Sequence, residues 1–284
     1  MTDTISIKLL RTLSCGVSAL GSEARNRIAE FVISQQAGNG GFCNKSGVED
    51  IYYTSFGWLL ALVLDVELDK KSMASYLQQI DPTKLDLVHY AAYMRCRMLS
   101  QYANNKIGFT LNALRRVSLP EMESYASVPN NDISSPYSQF ILYSLCEDTN
   151  NPAEVLPLDD YKTPQGYTNT RAGIEASTNA TAAALMVKGQ TLGYDSSCEE
   201  IELLRNMQLE CGGFKAEGKT LMPDLLSTAT ALFTLHSYGV APRQSASEFV
   251  EAHWLDSGGF AATVLDAESD VEYTFYGLLA LGTL

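Results

Sequence analysis

No run of apolar residues in this chain approaches the roughly 18 that cross a membrane; the longest candidate, Phe56 to Leu64, is half that length. Basic residues are also scarce. Lys and Arg number 20 against 33 Asp and Glu, a net charge of −13, which argues against nucleic acid and against docking on anionic lipid. The six cysteines (Cys15, Cys43, Cys96, Cys146, Cys198, Cys211) form no CxxC pair, so they read as reduced, small apolar side chains. There is no Walker motif, no G-x-S-x-G and no HExxH, and no hairpin signal competes with helical periodicity. Lys8 and Arg11 interrupt what would be the core of a signal peptide. The expectation is a cytoplasmic, soluble protein with no membrane span and no nucleic-acid partner.

What the chain does have is one phrase written several times: a glycine-glycine-aromatic turn, about ten residues, then an acid opening an apolar helix. The copies are Gly40-Gly41-Phe42 with Asp50, Gly212-Gly213-Phe214 with Asp224, and Gly258-Gly259-Phe260 with Asp270. A weaker copy is Gly166-Tyr167 with Glu175. Tyr167 to Phe214 is 47 residues and Phe214 to Phe260 is 46, a period that marks a repeat architecture.

Helices rich in Ala and Leu follow each turn, over Asp50–Leu64, Ser177–Lys188, Asp224–Tyr238 and Asp270–Leu284. They are apolar almost all round and should be buried. Glu23–Gln36, Glu199–Gln208 and Ser245–Trp254 carry charge on one face, as an outer layer would. Asp86–Leu99 and Ser134–Leu145 fill the remaining gaps as degenerate copies without the glycine turn, and 120–136 and 150–164 read as loops. Six inner helices with outer partners close into a double-layered ring, a single all-α domain over residues 1–284. Glycine fits the turn by accepting positive φ, the aromatic would plug the seam between repeats, and the acid would cap the next helix.

Gln208-Leu209-Glu210-Cys211-Gly212-Gly213-Phe214, followed by Asp224 and a helix, resembles the repeat of protein prenyltransferase β subunits and of squalene and terpene cyclases. The resemblance implies an α/α toroid, six inner and about six outer helices around a central apolar cavity, with its mouth ringed by inner-helix N-termini. It also shows where this chain departs. Prenyltransferases look like Asp-x-Cys in the fifth repeat and Asp-x-x-His in the sixth; here Leu226 and Tyr273 stand in place of the thiolate and imidazole. Ser177 replaces a histidine that contacts diphosphate in the fourth. No catalytic zinc and no other cofactor is therefore expected. Cyclases carry Asp-x-Asp-Asp-Thr-Ala; Asp224-Leu225-Leu226-Ser227-Thr228-Ala229 lacks both middle acids.

The candidate catalytic residues are Glu272, Asp270 and Asp224. Glu272 holds the third position of an inner-helix start, and an apolar mouth would raise its pKa toward general-acid use. Protonating an unactivated alkene asks more than a typical raised Glu supplies. The plain alternative is that all three acids serve the helix N-termini. The candidate ligand-binding residues are Tyr52, Tyr53, His89, Tyr90, Ser177, Ser227, Tyr273 and Tyr276. The tyrosines belong to an aromatic wall that includes Phe56, Tyr93, Tyr137, Phe140 and Phe275. It faces a hydroxylated wall that includes Ser177, Thr178, Asn179, Thr181, Ser227, Thr228 and Thr230. Such a wall can bind an isoprenoid or another apolar small molecule, or simply fill the ring. The rival function is an inactive toroid serving as a scaffold or partner subunit. A cavity above about 300 Å³ would favour the ligand.

Overall fold

The computed structural model describes residues 3–104 and 133–284. Among these are eleven α-helices and three two-residue antiparallel ladders. The helices are α1 (Ile5–Ala19), α2 (Ser22–Ser34), α3 (Ile51–Leu64), α4 (Lys70–Gln78), α5 (Leu87–Asn104) and α6 (Pro136–Thr149). After them come α7 (Thr178–Leu192), α8 (Glu199–Arg205), α9 (Leu225–Ser237), α10 (Ser247–Glu251) and α11 (Val271–Leu281).

Six of these, α3, α5, α6, α7, α9 and α11, each pack on the next, and α11 returns to α3, so the inner ring closes. The degenerate copies are real members of it, as α5 and α6. The all-α toroid is therefore present as expected. The small ladders were not anticipated; Phe42–Cys43 pairs with Glu49–Asp50 and Phe214–Lys215 with Pro223–Asp224, tying each glycine turn to the start of its inner helix. The loop read over 120–136 falls mostly outside the described residues. The one over 150–164 carries a single turn of 3₁₀ helix, Asp159–Tyr161.

The repeat has a local logic beyond its glycines. The aromatic N–H donates to a threonine hydroxyl one turn into the inner helix. The pairs are Phe42 to Thr54 (2.9 Å), Tyr167 to Thr181 (2.9 Å), Phe214 to Thr228 (2.8 Å) and Phe260 to Thr274 (3.1 Å). Each hydroxyl in turn donates to the carbonyl of the helix-capping residue, Asp50, Ser177, Asp224 or Asp270. A backbone donor buried under the aromatic is thereby satisfied. The period was visible in the sequence as a threonine four residues after each cap. Thr181 and Thr228 therefore serve the turn and not a cavity wall, which corrects the expectation above.

The second glycine of each turn sits under an aromatic ring of an outer helix: Gly41 under Tyr76 of α4, Gly213 under Phe249 of α10, Gly259 under Phe31 of α2. The last turn thus borrows its outer helix from the start of the chain. Among the described residues the outer layer holds four helices, α2, α4, α8 and α10, where about six were expected.

Helix α1 was missed in the sequence, because no glycine turn precedes it. It packs on α3, α6, α9 and α11, across one end of the ring. Its Ile5 N–H donates to Glu147 Oε2 at 2.9 Å and its Lys8 reaches Gln190 Oε1 at 2.9 Å, both acceptors lying near the C-terminal ends of inner helices. It is the floor of the toroid. Where it crosses α11, the position of a Cβ on Gly16 falls 2.0 Å from the Leu278 carbonyl oxygen. Helix α11 ends at Leu281 with Gly282 as its cap, short of the expected Leu284.

Candidate functional site

The ring encloses a central chamber of about 330 Å³. Its wall draws on all six inner helices: Tyr52 and Phe56, Arg95, Tyr137 and Phe140, Asn179 and Ala183, Leu226 and Thr230, Phe275 and Tyr276, with Leu9 of α1 below. The aromatics gather on α3, α6 and α11, in a chain that includes Tyr52 on Phe56 (4.9 Å between centroids) and Phe56 on Phe275 (4.9 Å). Small side chains come from α7, and Thr230 Oγ1 donates to Asn179 Oδ1 at 2.7 Å.

Several expected wall residues are elsewhere. Tyr90 is fully buried in the main core and does not border the chamber, and neither does Tyr93. Both lie on α5 but face away from the axis that Arg95 and Ala92 face. Ser177 caps α7 by accepting from the Ala180 N–H, Thr178 Oγ1 donates to the Lys215 carbonyl, and Ser227 Oγ donates to Asp224. Tyr53 and Tyr273 stand at the mouth, outside the chamber. His89 lies at the mouth too, between two caps: its Nδ1 is 2.8 Å from Asp86 Oδ1 and its Nε2 3.8 Å from Asp50 Oδ2.

The mouth acids come together where the first and last repeats meet. Tyr52 OH donates to Glu272 Oε1 at 2.6 Å. Glu272 is buried but does not itself border the chamber; Tyr52 stands between them. Burial pushes its pKa up, partly opposed by the Tyr52 hydrogen bond, with Asp270 adding to the rise. Asp270 caps α11 through the Tyr273 N–H at 2.8 Å. Its other oxygen, Oδ2, is buried with no hydrogen bond among the described residues and has Lys45 Nζ at 3.7 Å. Burial raises its pKa as well, against Lys45. Asp224 caps α9, accepting from Ser227 N–H at 2.7 Å, and burial raises it too. Two residues after the Asp224 cap it is Leu226 that borders the chamber. Among the described residues, no three His, Cys, Asp or Glu side chains are grouped so as to hold a metal ion.

The segments leading into the inner-helix N-termini expose large apolar side chains: Val48, Ile174, Leu221, Met222, Val264 and Leu265. They belong to repeats one, four, five and six, so the mouth end has an apolar rim.

Beneath the chamber, between α1 and the ring, is a second space of about 500 Å³. Sequence reasoning missed its two charged residues, Arg95 and Asp148, because neither sits at a helix N-terminus. Asp148 accepts from Ser6 Oγ at 2.6 Å and Thr4 Oγ1 at 3.3 Å, tying α6 to α1. Burial pushes its pKa up to about 6, opposed by the Ser6 hydrogen bond. A carboxyl raised on folding stabilises the native state fully below its unfolded value of 3.8, and that contribution is lost as pH rises through about 6. The shift corresponds to ~3 kcal/mol. In urea unfolding, raising the pH across this window should cost the native chain about 2–3 kcal/mol more than Asp148→Asn. Parallel pH curves for the two would show that Asp148 is not strained by its burial.

Compared with known families, residues 4–117 and 178–284 match the prenyltransferase alpha-alpha toroid domain. No curated protein matches the chain. No helix among the described residues is long and apolar enough to cross a membrane.

Proposed function

Because the chain belongs to the prenyltransferase alpha-alpha toroid family, we propose that its central chamber, within one domain, binds an apolar small molecule of the isoprenoid class. The observation that carries this reading is the chamber itself. At about 330 Å³ it falls within the range of small-molecule sites. Tyr52, Phe56, Phe275 and Tyr276 present π faces suited to an unsaturated hydrocarbon or a cation derived from it.

Glu272 and Tyr52 are the groups proposed to act on that ligand. With Glu272 ionised, Tyr52 turns its hydroxyl proton toward the carboxylate. With Glu272 protonated, the carboxyl donates instead, and the Tyr52 proton is free to point into the chamber. A proton passed from Tyr52 to the hydroxyl oxygen of an allylic alcohol would be replaced from Glu272, which ends as the carboxylate. The C–O bond breaks and water departs, leaving an allylic cation. Asp270 and Lys45 hold the pair in place, and Asp224 keeps α9 capped. The chemistry then resembles acid-initiated cyclisation without the usual acid motif. Incubated with farnesol, the native chain should form product, with Glu272→Gln and Tyr52→Phe each slowing turnover at least a hundredfold. Both should keep ligand affinity within about threefold. A fully active Glu272→Gln variant would return Glu272 to a helix-start acid.

The apolar rim supports a second reading, in which the mouth end docks a partner subunit and the toroid acts as its scaffold. Size-exclusion chromatography of native-host extracts would separate the two, since a subunit should elute as a complex that Leu221→Asp with Leu265→Asp disrupts.

A further inference from the structure

The floor space differs from the central chamber in its chemistry. Its wall is chiefly aliphatic, with Ile7 and Leu10 from α1, Leu59 and Val63 from α3, and Met98 and Leu99 from α5. One basic side chain, Arg95, stands on it, at the boundary with the central chamber. Among the described residues Arg95 makes no ion pair. Its one hydrogen bond among them, to Ser144 Oγ, is long at 3.4 Å. A guanidinium carries five donors in a planar fork that matches an oxyanion, and this one long hydrogen bond leaves most of them unused. Asp148, the acid on the same wall, feels the charge of Arg95 but stands beyond ion-pair distance.

We propose that the floor space is a second ligand site, which takes a single-chain aliphatic carboxylate with its head on Arg95 and its chain along α1. The charge count selects the head group. Arg95 has donors to spare but already shares its field with Asp148, whose oxygens are engaged by Ser6 and Thr4, so the site accepts an oxyanion only with the least added negative charge. A monocarboxylate fits that balance, whereas a diphosphate would bring more negative charge than the site holds positive. The wall selects the tail, because unbranched methylenes pack against Leu, Ile and Val with no polar group to satisfy. This site adjoins the proposed isoprenoid chamber, sharing Leu9, Phe56, Arg95, Phe140 and Phe275 with it, but the assignment does not depend on what that chamber binds.

Isothermal titration calorimetry with palmitate, and with cetyl alcohol as the neutral chain, tests the assignment. Palmitate should bind once per chain and much more tightly than the alcohol. Arg95→Met should weaken palmitate at least tenfold, Arg95→Lys should recover part of the loss, and Val63→Trp should abolish binding by filling the floor. Ala183→Trp, which intrudes only on the central chamber, should leave palmitate affinity within twofold. Circular dichroism and urea unfolding identify any variant that fails to fold, in which case Arg95→Lys and Val63→Trp still decide. Equal binding of acid and alcohol, native affinity in Arg95→Met, or loss of palmitate in Ala183→Trp but not Val63→Trp would overturn the proposal.

Discussion

Replacing Gly212 by alanine is expected to destabilise the chain by about 4 kcal/mol, and Phe214→Ala by about 3–5 kcal/mol. Gly212 has φ +89° and lies against the segment that leads into α10, so an added Cβ would fall 2.1 Å from the Ser245 carbonyl oxygen. Neither atom can yield without moving backbone, since Gln208 bonds both the Gly212 and Gln244 carbonyls. Phe214 is fully buried beneath the Thr228 hydroxyl, and truncating it leaves a cavity between the ladder and α9. The informative control is Gly239→Ala. Gly239 also has positive φ, +67°, but nothing lies within 4 Å of its would-be Cβ. It should cost only about 1–2 kcal/mol, the intrinsic cost of the left-handed conformation. Urea unfolding with matched slopes measures all three, and equal losses at Gly212 and Gly239 would mean the turn does not hold the layers together.

Gly16→Val should have a comparable effect by a different route. At the crossing of α1 and α11 the two backbones approach too closely for any side chain: a Cβ on Gly16 meets the Leu278 oxygen at 2.0 Å, and one on Gly282 meets the Thr12 oxygen at 1.8 Å. Valine there forces α1 off the ring, at about 3 kcal/mol. The loss should be local. Hydrogen exchange in α1 should accelerate toward that of a detached helix, while α9 and α11 stay protected. Leu9 then leaves the chamber floor, so an apolar ligand should dissociate faster. Unchanged protection across Ile5–Ala19 would show that α1 does not depend on this contact.

Much of this architecture was legible from the Gly-Gly-Phe turn alone, because its geometry is local: positive φ, a buried aromatic, and an acid whose side chain caps the next helix. Asp50, Asp224 and Asp270 are caps for that reason. The degenerate helices α5 and α6 were found by apolar periodicity and length. What could not be read locally was direction. Tyr90 lies one turn into its helix but on the wrong face, and Thr181 and Thr228 looked like wall hydroxyls until their partners, the Tyr167 and Phe214 amides, were in place. The Glu272–Tyr52 pair spans 220 residues and exists only because the ring closes. Arg95 carried no signal at all; an arginine in an apolar helix becomes meaningful once both of its neighbouring spaces are known.

The central claim is that the closed ring holds an apolar ligand on its axis. Native mass spectrometry with farnesol, comparing the native chain with Ala183→Trp, tests it most directly. Ala183 is buried on α7 and borders the chamber, so an indole there should occupy ligand volume without touching the mouth or the floor. The account predicts one farnesol per native chain and none on the folded Ala183→Trp variant. Farnesol bound equally by both, or by neither, would contradict it.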